Sequence, residues 1–140
     1  MGRAEGMSVV LDTHTLVWLL TDNDRLGAKA ERRIDEAFRG SQVIISATSF
    51  WEVAMLVSKK RIDIGKPLAQ WRADALKLGM EEIPIDGEIA VQAVLLSDLH
   101  NDPADRFIAA TAIRARAPLV TADENLLAWR GPLACIDARV

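Results

Sequence analysis

The sequence predicts an α/β domain, with one parallel sheet of five strands and helices on both faces. Three observations lead there. Short aliphatic runs such as Val9-Val10-Leu11 and Val43-Ile44-Ile45 alternate with longer stretches whose apolar residues recur at helical spacing. That is the pattern of strands buried on both faces and joined by crossover helices. The chain has 140 residues with no repeat, low-complexity segment or linker, which suits a single domain. Finally, carboxylates stand just after the strands. Right-handed crossovers bring such positions to one edge of the sheet, the edge where ligands bind in open α/β folds.

The elements follow in order. Ser8 to Leu11 is the first strand, ending at Asp12. A short helix with Leu16, Val17, Leu19 and Leu20 on its buried side comes next, and Asp22-Asn23-Asp24 supplies turn chemistry. From Leu26 to Phe38, Leu26, Ala30, Ile34, Ala37 and Phe38 mark a helix that Gly40 ends. Val43-Ile44-Ile45 is the second strand. Ser46-Ala47-Thr48-Ser49 offers N-caps for a helix through Glu52 and Val57, and Lys59-Lys60-Arg61 suits its negative end. Pro67 begins a helix with Leu68, Trp71, Ala75 and Leu78 on one face, and Gly79 stops it. Ile83-Pro84-Ile85 reads as a third strand, which the proline assigns to an edge or a strand end. A helix spans Glu88 to Leu99, and Asp102-Pro103-Ala104-Asp105 opens another that runs through Ile113. Pro118 to Thr121 is the fourth strand, Asp123-Glu124-Asn125 starts a short helix, and Ala134-Cys135-Ile136 is the fifth strand.

Composition narrows the function classes. No apolar run is long enough to span a bilayer, so no membrane association is expected. The single cysteine, Cys135, excludes an internal disulfide and suits a cytoplasmic protein. The net charge of −3 argues against a generic nucleic-acid binder, although not against an enzyme that reaches phosphates through a metal ion. Residues 1–7 read as a flexible leader, with Met7 an alternative start, and residues 8–140 as the domain. The high apolar content of so small a domain points to surface buried against a partner, with a homodimer as the expected assembly.

Asp12, Glu52, Asp105 and Asp123 are the candidate catalytic residues. Each has a structural explanation as well. Asp12 and Asp123 suit N-caps, Glu52 stands three residues after Ser49 as in a capping box, and Asp105 is the third residue of a helix that Asp102 caps. As a set they ask for more, because mutually close carboxylates repel and raise one another's pKa values. A cation would offset that charge. Oxygen ligands without a Cys or His cluster suit Mg²⁺ or Mn²⁺, and such metals activate water and bridge phosphates. Thr13 and Thr121 are candidate hydroxyl neighbours of the carboxylates or of phosphate, or else bond local backbone.

Four blocks now carry a resemblance. Val-Val-Leu-Asp-Thr-His, Ile-Ile-Ser-Ala-Thr-Ser-Phe-Trp-Glu-Val, His-Asn-Asp-Pro-Ala-Asp-Arg-Phe-Ile-Ala and Leu-Val-Thr-Ala-Asp follow one another at family-like spacing. Together they resemble the PIN-domain family, and more narrowly its VapC-type ribonuclease toxins. The resemblance covers nearly the whole chain from Ser8, and the family's acids fall on Asp12, Glu52, Asp105 and Asp123. It implies a PIN-like three-layer α/β/α fold, Mg²⁺- or Mn²⁺-dependent RNA cleavage and neutralisation by a small antitoxin. A housekeeping PIN nuclease and a catalytically silent PIN-fold binding module are the alternatives.

Other residues weigh less. Arg106 is read as holding a carboxylate or phosphate, against a surface ion pair. His14 and His100 are too far apart for a local metal motif; His14 is placed beside the site and His100 in the turn before Asp102. Trp18, Trp51 and Leu56 are candidate anchors for an antitoxin helix or strand. A haloacid-dehalogenase-type phosphatase would need an Asp two residues after Asp12, where His14 stands.

Overall fold

The computed structural model describes residues 6–140. Among these, five parallel strands form one sheet in the order β3-β2-β1-β4-β5, with β1 (Val9–Leu11) at its centre. The other strands are β2 (Val43–Ser46), β3 (Glu81–Ile83), β4 (Leu119–Thr121) and β5 (Cys135–Asp137). The aliphatic runs divide by parity, as alternate side chains of a strand must. Val9, Leu11, Val43, Ile45 and Val120 join one core, whereas Val10, Ile44 and Leu119 join another. Those two cores are the seams of a three-layer sandwich.

Helices α1 (Thr13–Leu20), α2 (Ala28–Arg39), α3 (Ala47–Ser58) and α4 (Leu68–Lys77) supply the first core, through Leu16, Ile34, Phe50 and Trp71 among others. Helices α5 (Gly87–Leu95), α6 (Pro103–Ala115) and α7 (Glu124–Ala128) supply the second, through Ile89, Ile108 and Leu126.

Four expectations need correcting. The third strand lies at an edge, as Pro84 requires, but it is Glu81–Ile83, so the proline follows it. Ser46, not Ser49, caps α3 by accepting from Thr48 N at 3.1 Å, so Glu52 stands in the second turn and forms no capping box. The helix expected to reach Leu99 ends at Leu95. Residues 96–102 instead arch around Arg106, whose guanidinium donates to the carbonyls of Ala93, Leu96, Leu99 and His100 at 2.5–3.0 Å. That spends its donors on backbone, so Arg106 is neither a carboxylate nor a phosphate ligand here. Of the leader, residues 1–5 lie outside the described residues; the carbonyls of Gly6 and Met7 accept from Arg33.

Candidate active site

The carboxyl ends of the strands hold an open pocket of about 420 Å³ whose walls include Asp12, Glu52, Asp102, Asp105 and Asp123. Three of the acids, Asp12, Asp102 and Asp123, arrive as helix N-caps. β1 is buried throughout and delivers Asp12, the N-cap of α1, at the centre of the edge. Asp102 caps α6, accepting from Ala104 N at 3.0 Å and Asp105 N at 3.3 Å, and Pro103 occupies the first turn. That cap aims the first turn of α6, and Asp105 with it, at the pocket. Asp123 caps α7, accepting from Leu126 N at 2.9 Å. Capping and membership of the cluster are therefore compatible: the same backbone that needs a cap turns at the pocket rim.

Hydroxyls organise the centre. Thr13 N donates to Asp12 Oδ1 at 2.8 Å, and the Thr121 hydroxyl donates to Asp12 Oδ2 at 2.6 Å. Thr121 Oγ1 also accepts from Asp123 N at 3.0 Å, tying the two acids together. The Thr13 hydroxyl donates to the Glu52 carboxylate and lies 3.0 Å from Ser49 Oγ. Both threonines bond carboxylates, the first of the two roles considered for them.

The electrostatics are unfavourable for negative charge. Burial raises the pKa of Asp12, opposed by the bonds from Thr121 and Thr13, and Asp123 adds to the rise. Burial also raises Glu52, with Asp12 and Asp102 contributing and Thr13 opposing. Asp105 is affected most: burial, then repulsion from Asp12, Asp102, Asp123 and Glu52, push it up to about 8. An uncompensated cluster of this kind leaves Asp105 holding its proton at neutral pH. A divalent cation would replace that proton, and an oxygen-rich donor set is what Mg²⁺ and Mn²⁺ take.

Two further residues belong to the site. His100 Nε2 lies 3.0 Å from Asp105 Oδ2. Ligand atoms of His100, Asp105 and Asp123 fall within 4.8 Å of one another, close enough to share one ion. Arg139 also lines the pocket, and its guanidinium is held by Asp137 and Glu124. Spacing could not reveal His100, because the arch around Arg106 carries it inward. Arg139 had no motif to mark it; its one signal was its position just after the fifth strand. Of the anchors, Trp18 is buried in the first core, whereas Trp51 is 56% exposed.

Comparison with known proteins agrees with this geometry. The model of the PIN domain matches residues 9–130. The chain is 34% identical over 126 residues to Ribonuclease VapC22 of Mycobacterium tuberculosis, covering 89% of this chain and 94% of that protein. Among solved structures it resembles VapBC2 from Rickettsia felis bound to a promoter DNA fragment, with a TM-score of 0.68 at 19% identity over 91% of this chain and 96% of that one. It also resembles a toxin–antitoxin complex from Klebsiella pneumoniae, with a TM-score of 0.63 at 22% identity over 94% and 98%. At such identities the solved structures speak for the fold, and the family match and the curated relative speak for descent. With the acids of its four motif blocks gathered at one sheet edge, the chain belongs to the PIN domain family.

Proposed function

We propose that this protein is a cytoplasmic endoribonuclease that hydrolyses RNA phosphodiester bonds with the help of Mg²⁺ or Mn²⁺ and acts as the toxin of a toxin–antitoxin pair. The observation that carries the reading is one pocket built from five acids on four separate segments, in which Asp105 is pushed up to about 8. Its relatives support the biological setting, since one is named a ribonuclease and two solved neighbours contain toxin–antitoxin complexes.

In this reading Asp12, Asp105 and Asp123 hold the metal, with Glu52 beside them. A divalent cation held there would offset the cluster's charge and supply an activated water for attack on phosphorus. The chain's own residues do the rest. Thr121 and Thr13 fix both oxygens of Asp12, so its carboxylate is oriented before any ligand arrives. Thr13 orients Glu52 in the same way. Among the described residues Arg139 is the one lysine or arginine on the pocket wall, and it holds a phosphate of the RNA strand, because two of its five N–H groups stay free beside Asp137 and Glu124. The antitoxin sends a basic side chain, preferably arginine, into the acids. It lays an apolar segment on the neighbouring hollow of about 400 Å³ lined by Trp51, Ile85, Pro103 and Phe107. Val91, Val94 and Leu95, exposed together on α5, offer a separate apolar face for a second copy.

Expression of the chain with and without its neighbouring gene, followed by mapping of RNA ends, tests the reading. Growth arrest should occur without the neighbour and vanish with Asp12→Asn. Fragments should carry 5′-phosphate and 3′-hydroxyl ends. Ends with 2′,3′-cyclic phosphate would refute the mechanism. A wild-type chain that is harmless alone yet cleaves RNA in vitro would favour a housekeeping nuclease.

A further inference from the structure

We propose that His100 is a direct ligand of the bound metal, and that its imidazole makes the site prefer Mn²⁺ to Mg²⁺. The assignment rests on the metal-dependent reading above and extends it to a residue outside the acid set.

Distance is the first argument. Neighbouring ligands in an octahedral site with bonds of 2.0–2.1 Å stand about 3.0 Å apart. His100 Nε2 and Asp105 Oδ2 are 3.0 Å apart. The nitrogen, Asp105 and Asp123 together offer three atoms within 4.8 Å of one another, a grouping that could close on one ion.

The second argument is an unmet need. His100 Nε2 is buried and makes no hydrogen bond. It lies 3.0 Å from Asp105 Oδ2, a contact that is an ion pair only if the imidazole is protonated. Buried polar nitrogens are rarely left so, and a metal ligand is one of the explanations such an atom demands.

A third argument concerns rigidity. The His100 carbonyl accepts from Arg106 Nε at 3.0 Å, and the same guanidinium grips Leu99 O. The backbone that carries the imidazole is therefore pinned independently of the ring.

The chemical consequence follows from donor type. Mg²⁺ is hard, dehydrates reluctantly and favours oxygen. Mn²⁺ also favours oxygen, but as a first-row transition ion it takes an imidazole nitrogen at less cost than Mg²⁺ does. An imidazole in the set therefore separates two ions that carboxylates alone discriminate poorly.

The test is pulsed electron paramagnetic resonance of the full chain loaded with Mn²⁺, together with calorimetric titration of Mn²⁺ and Mg²⁺ separately. The wild type should show ¹⁴N modulation from a coordinated imidazole, changing to a ¹⁵N pattern when histidine is isotopically labelled. His100→Gln should abolish it, and His14→Gln should not. The ratio of Mn²⁺ to Mg²⁺ affinity should fall about tenfold or more in His100→Gln, with circular dichroism unchanged. Bound Mn²⁺ without nitrogen coupling overturns the assignment alone, as does equal loss of both ions in His100→Gln. Failure of folded wild-type protein to bind either ion overturns this assignment and the metal-dependent reading together.

Discussion

Replacing Asp105 by asparagine measures how far the site's own charge strains the fold. The side chain is 13% exposed. Its carboxyl lies at about 8 instead of the ordinary 3.8, through burial first and then four neighbouring acids. A carboxyl whose pKa is higher folded than unfolded makes the folded state bind the extra proton. Its contribution is fully present below 3.8 and is lost as pH rises through about 8. At about 1.4 kcal/mol per pH unit, that interval sets a ceiling of roughly 6 kcal/mol. The neighbouring acids share the repulsion, and effective dielectrics near ~20 describe such sites better than a dry interior, so about 2–4 kcal/mol is the working figure. Asparagine keeps the shape and removes the charge. In EDTA at pH 8.5, Asp105→Asn should therefore be more stable than wild type by that amount, about 7–14 °C in Tm for a domain of this size. The advantage should shrink steadily towards pH 4.5. Added Mn²⁺ should reverse the order, since a ligand at 100 times its Kd stabilises the protein that binds it by about 2.7 kcal/mol. Denaturant unfolding across the pH series reads this directly. A difference that does not change with pH, or a less stable variant at pH 8.5 in EDTA, would refute the account of the cluster.

Other substitutions probe separate parts. Arg106→Ala should cost about 2–4 kcal/mol, because several backbone carbonyls lose a charged donor, and Arg106→Lys should not restore it, since an ammonium lacks the planar fork. Arg139→Ala should raise KM for RNA with kcat nearly unchanged and reduce the salt slope of binding by about 1; an unaltered slope would remove Arg139 from the RNA path. Trp51→Glu should weaken capture by the co-expressed antitoxin while cleavage by the free enzyme persists, and equal capture would place the antitoxin elsewhere.

Much of this was readable from residue order because the relevant physics is local. Val9 to Leu11 can only be a strand buried on both faces, and a carboxylate directly after it must stand at the sheet edge. Asp102 before Pro103 fixes a helix start, and Asp105 follows at its first turn. What escaped was set by tertiary contacts. Arg106 lies next to Asp105 in sequence, yet its side chain leaves the pocket and serves the 96–102 arch, a partner set that no spacing encodes. His100 moved into the site through that same arch. Glu52 mimicked a capping box because Ser46 and Ser49 are both competent caps, and only the path of β2 chose between them. Trp18 and Trp51 are alike in sequence context, but one faces the first core and the other solvent.

The strand order has a consequence for synthesis. β1 sits at the centre of the sheet, and its partner on one side, β2, is made soon after it. The partner on the other side, β4, comes from much later in the chain and brings Thr121 and Asp123 with it. A ribosome adds roughly 5–20 residues per second, so the growing chain carries Asp12 for several seconds beside an open sheet edge with an incomplete acid set. If the proposed nuclease reading holds, a nascent chain would lack a complete acid set until β4 has been made and has docked.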